Sequence, residues 1–354
     1  MKPDVEVIGQ IIDGNFGEIV VRQKSGHAIE LGDLFVAESG NEKIILEVFD
    51  LVYGSQIGPS SRELISGIQL EGWENLELMD EGIANYTLAK LKALVTIEDG
   101  VTKTTKRLPQ FFSSIRHING DDLSILSRES GVFVGSLRSG SKHLDVDVNL
   151  RNDALKHHIL IPATTGRGKS NLVKVMASSL LKQEGCSLLI LDPHDEYYGR
   201  NVTGLKDVSD KVIYYSLNPP SGQRSLVINI EKLRPWHFDG VLNFSEAQTE
   251  AMYTYYQRHK EKWIEKIFLE KVNSKDVVRE ETINVLKRKL GLLGIKEQYD
   301  ELRASGVFSI SSGSATIETI CNELESGRSV IIDTSLLQGD LELLVGSMIA
   351  RELF

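Results

Sequence analysis

Two cysteines, Cys186 and Cys321, are all that a chain of 354 residues carries. Thiols this few offer no disulfide framework and no metal-ligand spacing, and both read as small buried apolar residues in a reducing cytoplasm. No stretch approaches the roughly 18 apolar residues of a membrane helix, and the opening Met1-Lys2-Pro3-Asp4 lacks the apolar core of a signal peptide. The expected location is cytoplasmic, without a membrane role. A basic excess is also missing, because 40 Lys and Arg face 50 Asp and Glu for a formal net charge of −10. That argues against a surface that coats nucleic acid broadly. It leaves open a protein that grips nucleic acid only inside a ring, where a few Lys and Arg suffice. No internal repeat or low-complexity tract is visible. The remainder, 41% hydrophobic and 25% charged, is an ordinary globular composition at a length that suits two domains.

Residues 1 to about 145 alternate in short runs broken by turn residues. Val5-Glu6-Val7-Ile8-Gly9-Gln10-Ile11-Ile12 leads to an Asp13-Gly14-Asn15 turn, followed by Glu18–Arg22 and Leu34–Glu38. Lys43–Phe49 then continues through Tyr53, and Leu91–Ile97 and Gly131–Leu137 are further strands. Strands of this length and spacing predict a small β-barrel or sandwich, with Pro59 to Asn85 and Arg107-Leu108-Pro109 as excursions. No catalytic constellation lies here, so the region is structural or contacts a partner.

From His157 onward, strands alternate with helices. Leu188–Leu191 is a fully apolar strand of the buried parallel kind, Val212–Tyr215 is shorter, and Val330–Asp333 is another. Pro235 to Gly294 is largely helical: one long helix starts at Ser245 and runs to Phe268, and a second spans about Asp276 to Leu293. A third, near Ala315 to Glu325, is closed by Gly327. The fold class expected is α/β, with a small barrel followed by a doubly wound P-loop core from about 146 carrying a helical insertion at about 235–326.

Within that core, Ala163-Thr164-Thr165-Gly166-Arg167-Gly168-Lys169-Ser170 fits the phosphate-binding loop, with Ala in place of the usual first Gly. The apolar run His158–Ile161 leads in as a strand, and Asn171–Met176 leaves with helical periodicity. The glycines let backbone N–H groups turn toward phosphate oxygens, and the helix N-terminus adds positive charge there. Lys169 would reach the β- and γ-phosphates of ATP, and the Ser170 hydroxyl would hold Mg²⁺. Asp192-Pro193-His194-Asp195-Glu196-Tyr197 follows an apolar strand, on the rim where α/β proteins bind ligands. Asp192, His194 and Asp195 are rim candidates, although in one common strand order this tip lies far from its own P-loop. Asp333 sits where a Walker B carboxylate would bind Mg²⁺, but Thr334 follows where a hydrolytic ATPase usually places Glu. It is a metal ligand or a plain strand-end residue. Lys287-Arg288-Lys289 reads as a solvated helix face, and His157 and His158 lack metal-ligand companions.

This arrangement resembles the HerA family of hexameric DNA translocases, which belongs with FtsK-type pumps in the additional-strand P-loop class. The barrel stands where that family has its HAS-barrel domain. Ile159 through Ser170 matches its P-loop apart from Ala163, and Asp192–Tyr197 is similar to its Asp-Pro-His-Gly-Glu-Tyr signature, with Asp195 in place of Gly. Ile332-Asp333-Thr334-Ser335, with the helix reaching Ala350-Arg351, looks like the strand and helix just before the family's Walker B strand. The resemblance implies ATP-driven movement along double-stranded DNA through the channel of a homo-hexamer, with a NurA-like nuclease in end resection. It implies nucleotide contacts from Ala163 to Asn171 and a catalytic role for Lys169 and Glu196. It also implies that the chain stops before the Walker B strand, as a fragment that binds nucleotide but hydrolyses it poorly. The other classes compatible with these motifs are a nucleotide-gated scaffold or docking ring and a secretion- or rotary-type ATPase.

Overall fold

In the computed structural model, the residues described are 6–71, 85–123, 131–270 and 278–353. The chain divides into two compact units, Met1–Leu160 and Ile161–Phe354.

In the first unit, β1 (Gly9–Asn15), β2 (Glu18–Gln23), β3 (Leu34–Ser39) and β4 (Glu42–Ser55) are followed by helix α1 (Pro59–Leu70). Then come β5 (Asn85–Glu98), β6 (Val101–Lys103), β7 (Ser114–His117), the short helix α2 (Gly120–Leu123), β8 (Val132–Ser139) and β9 (Lys142–Leu150). The antiparallel order β2-β1-β7-β3-β4-β5 closes because β2 pairs back onto β5, giving a barrel of six strands with β6 added outside β5. Inward-facing Ile11, Ile19, Val21, Phe35, Leu46, Leu91 and Ile115 fill it. Leu34-Phe35-Val36-Ala37 shows no polar alternation because both its faces are covered. Phe35 and Ala37 point into the barrel, while Leu34 and Val36 join an outer cluster with Ile45, Ile118 and Leu123. Leu137, Leu144 and Val146 from the hairpin β8–β9 pack on that outer cluster.

Three expectations for this region change. The first hairpin turns at Phe16-Gly17 rather than at Asp13–Asn15, because the Asn15 side-chain oxygen accepts the Gly17 and Glu18 N–H groups and a bulge after Ile11 carries β1 onward. The Gly131–Leu137 strand belongs to the separate β8–β9 hairpin, not to the barrel. Pro59 to Leu70 is helix, and the rest of that excursion to residue 84 lies outside the described residues.

A buried ion cluster ties α2 to the barrel. Asp122, 2% exposed, receives two hydrogen bonds from Arg116 at 2.6 and 2.9 Å and one from Lys43 at 2.8 Å. Burial alone would raise the carboxyl, but Arg116, Lys43 and the Asn119 N–H outweigh it and hold it down at about 2. Its contribution to stability is therefore complete above the ordinary value near 3.8 and is lost as pH falls from there toward 2. Asp122→Ala leaves Arg116 buried beside a single remaining acid, Glu38, and is expected to destabilise this unit by about 3–5 kcal/mol in denaturant titration at neutral pH. A change below about 1 kcal/mol would show that the cluster is decorative.

The second unit opens on α3 (Lys169–Leu181), then β10 (Leu189–Asp192), β11 (Val212–Ser216), β12 (Arg224–Ser225) and β13 (Ile228–Asn229). Helices α4 (Glu246–His259), α5 (Trp263–Leu269) and α6 (Glu280–Leu292) lead to the hairpin β14 (Ile295–Gln298) and β15 (Glu301–Ala304). After β16 (Phe308–Ser309) come α7 (Thr316–Glu325), β17 (Ser329–Asp333) and α8 (Asp340–Leu353). The sheet β10-β17-β11-β12 is parallel throughout. Along β17 the side chains divide between two cores: Val330 and Ile332 enter one with α7, α8 and the helices α4 to α6, and Ile331 enters the other with Ala177 and Leu181 of α3. The apolar stripe Leu344, Val345, Met348 and Ile349 of α8 is buried in the larger core.

Here too the structure departs from expectation. His158–Ile161 forms no strand: among the described residues no neighbouring strand supplies its backbone partners, and Leu160 is 86% exposed. β10 is parallel but lies at a sheet edge with Leu191 exposed, so it is not buried on both faces. The Ser245 helix starts with its capping box to Gln248, then breaks at Lys260, where φ is +52°. It is two helices, α4 and α5, rather than one. Cys321 is buried and Cys186 is only half-buried.

Candidate functional site

The loop from Ala163 to Gly168 is irregular and exposed, and it turns into α3 at Gly168. Gly166 and Gly168 adopt φ of +78° and +82°, where an added Cβ would be strained although it would meet nothing within 4 Å. These glycines serve backbone conformation, not packing. The first turn of α3, including Ser170 and Asn171, carries N–H groups without intrahelical partners, beside the exposed Lys169. An open loop, left-handed glycines, a cation and a helix N-terminus together fit a polyphosphate.

Asp192 ends β10 fully buried. Its carboxylate accepts the backbone N–H groups of His194 at 3.3 Å, Glu196 at 3.2 Å and Tyr197 at 2.9 Å, so it folds the following loop around itself. Burial nevertheless keeps its carboxyl above the ordinary range, against those three N–H groups. His194 is exposed, whereas Asp195, Glu196 and Tyr197 are half-buried. The Tyr197 ring lies 5.9 Å from the Lys174 ammonium. Burial raises the Tyr197 phenol, and a hydrogen bond with the Ser170 side chain opposes that shift. The rim loop and the helix that follows the P-loop therefore meet within one chain, through the Tyr197 ring and Lys174 of α3. Asp192→Ala is expected to cost on the order of 3 kcal/mol in thermal or denaturant unfolding, because three N–H groups lose one acceptor. Asp192→Asn, which keeps one acceptor oxygen, should lose less; equal stability of the alanine variant and the parent would mean that the loop is held from elsewhere.

Asp333, at the end of β17, is buried in a different setting. It accepts from Ser216 Oγ at 2.7 Å, Ser335 N at 3.0 Å, Ser335 Oγ at 2.5 Å and Arg200 Nη2 at 3.4 Å, and Tyr214 Oη lies 3.0 Å away. Burial would raise this carboxyl, but the Ser335 and Ser216 hydroxyls prevail and its pKa falls below the ordinary value. Asp195, at φ +51°, joins the same cluster through Tyr214 Oη at 2.7 Å. The sequence did not point to Arg200, Tyr214 or Ser216. The available signal was the polar end of Val212–Ser216, which places a phenol and a hydroxyl on the same strand rim as Asp192 and Asp333.

With the P-loop turn and the Asp192 loop side by side, similarity to known proteins becomes decisive. The family described as "Helicase HerA, central domain" matches residues 132–353. The chain belongs to the HerA family. Among relatives, the DNA double-strand break repair helicase HerA of Sulfurisphaera tokodaii is 32% identical over 55% of this chain and 36% of its own length. Its namesakes from Saccharolobus solfataricus and Sulfolobus acidocaldarius are 30% and 27% identical over 52% and 60% of this chain. The matched part spans 35% and 41% of those two proteins, so about two-fifths or less of each relative is represented. The match to the HerA central domain includes both the P-loop and the Asp192–Tyr197 loop. No helix among the described residues is long and apolar enough to cross a membrane.

Proposed function

We propose that this chain is the nucleotide-binding part of a HerA-type DNA translocase with a RecA-like P-loop core. The observation that carries the reading is the pair of left-handed glycines at the N-terminus of α3, with Tyr197 of the rim loop beside Lys174 of the same helix. In this reading Ala163 to Asn171 cradle the phosphates of ATP, and Lys169 neutralises their charge. Mg²⁺, held by the Ser170 hydroxyl, would offset further negative charge on the phosphates. Glu196, carried half-buried beside Tyr197, is the carboxylate closest in sequence to that contact and takes the catalytic role. Asp333 is spoken for by its own hydrogen bonds, which supports the strand-end role over the metal role. The barrel and the ATPase core form the two domains, and the barrel holds subunits together.

The names of the relatives support DNA as the substrate and double-strand break repair as the setting, and in this reading the track is double-stranded DNA. The assembled machine is a cytoplasmic homo-hexamer that encloses DNA and works with a NurA-like nuclease. A net charge of −10 is compatible with this if the contacts are confined to a channel and made to phosphates. The test is ATP turnover by the full-length protein with and without duplex DNA. Stimulation should be independent of DNA sequence and should weaken as salt rises from about 50 to 200 mM, as counterion release requires. Turnover indifferent to DNA would sink the motor and favour the scaffold.

A further inference from the structure

The Asp195 side chain enters the cluster at the tips of β11 and β17. The hydrogen-bond supply there is limited. Tyr214 Oη accepts from Arg200 Nη2 at 2.8 Å and has one proton to give, with Asp195 Oδ1 at 2.7 Å and Asp333 Oδ2 at 3.0 Å. Asp333 already draws on Ser216, the Ser335 N–H and the Ser335 hydroxyl. Among the described residues Asp195 has one other charged partner, Arg200 Nε, an ion pair at 3.1 Å whose N–H is not aligned for a hydrogen bond. The Tyr214 proton therefore goes to Asp195. That contact also holds a residue at φ +51°, a conformation that costs a non-glycine about 1 kcal/mol or more.

We propose that Asp195 is a positioning residue: clamped by Tyr214 and Arg200, it fixes the adjoining Glu196 and Tyr197 against the phosphate-binding loop. This rests on the nucleotide-site reading of that loop. Two anchors then define the rim loop. Asp192 gathers its backbone from within, and Asp195 ties its outer side to β11, so that Tyr197 lies against α3 beside Lys174 in one orientation. An error of about 1 Å in placing a reacting group is enough to cost up to 10²-fold in rate.

The experiment compares the full-length protein with Tyr214→Phe, Asp195→Gly and the double variant, for affinity toward a fluorescent ATP analogue, kcat and melting temperature. Phenylalanine keeps the ring stacked on Tyr198 at 4.3 Å but withdraws the Tyr214 hydroxyl that donates to Asp195. The expected result is a fall in kcat of roughly 10- to 10²-fold with analogue affinity changed less than about threefold. Adding Asp195→Gly to Tyr214→Phe should restore part of kcat, because glycine takes the left-handed conformation unaided and leaves no carboxylate without a donor. A merely structural tyrosine would not be rescued this way. Because Tyr214 is fully buried, Arg200→Gln, at a side chain 30% exposed, removes the other half of the clamp independently and should lower kcat in the same sense. Unchanged kcat in Tyr214→Phe and Arg200→Gln, or a double variant no better than Tyr214→Phe, would overturn the positioning role while leaving nucleotide binding intact. Absence of analogue binding by the parent protein would overturn the nucleotide site and the inference with it.

Discussion

Lys169→Ala is expected to abolish ATP turnover by the full-length protein and to weaken binding of an ATP analogue by about 10- to 100-fold, without affecting the fold. The side chain is exposed at the first position of α3 and makes no core contact, so the melting curve should stay within about 0.5 kcal/mol of the parent. Its charge has no packing role; a charge-assisted bond to phosphate is worth about 1.5–3 kcal/mol, which sets the expected loss of affinity. Gly166 and Gly168 hold the backbone around it in a conformation that does not depend on Lys169. Titration of the analogue, hydrolysis and a thermal melt on the same preparation separate the two effects. Near-normal turnover with an intact melt would remove the phosphate-loop assignment.

The largest loss of stability in the second unit should come from Trp263→Ala. Trp263 is fully buried at the start of α5, edge-on to Phe238 at 6.2 Å, and its indole N–H donates to the Leu233 carbonyl at 3.0 Å. Truncation leaves a cavity the size of an indole and an orphaned carbonyl, together about 3–5 kcal/mol. Trp263→Phe, which fills most of the space, should recover more than half of that in denaturant titration. If the two variants were equally stable, the cavity argument would fail and the hydrogen bond alone would carry the cost.

Local chemistry was legible in the sequence wherever a short motif determines its own geometry. Gly166 and Gly168 announce a turn, Ser245 with Gln248 announces a helix start, and Gly327 announces a helix end; each is present. Family membership was legible because the phosphate loop and Asp192–Tyr197 lie in a fixed order. Features that depend on distant partners were not. Ile159-Leu160-Ile161 is apolar enough for a strand, yet strand formation needs a neighbour, and none among the described residues pairs with it. The break at Lys260 has no local signal, since apolar residues continue on both sides through Met252, Tyr255, Trp263 and Ile267. Arg200, Tyr214 and Ser216 act on Asp195 and Asp333 across separations of 5 to 133 residues, beyond the reach of pattern or propensity. The β8–β9 hairpin was missed as a separate piece because its alternation resembles that of the barrel strands.

Closure of the first sheet on itself, β2 onto β5, has a consequence for recognition. An open sheet advertises a row of unpaired backbone groups, to which another extended peptide can add as a further strand; the same row invites self-association. Around the ring formed by β2, β1, β7, β3, β4 and β5, each strand pairs with two others, and β6 covers β5 along Thr96–Glu98. A partner that meets this barrel has little backbone to pair with there, and recognition falls to loops and side chains. Those positions can change by point substitution without disturbing the pairing beneath, so partner choice can diverge while the barrel stays the same.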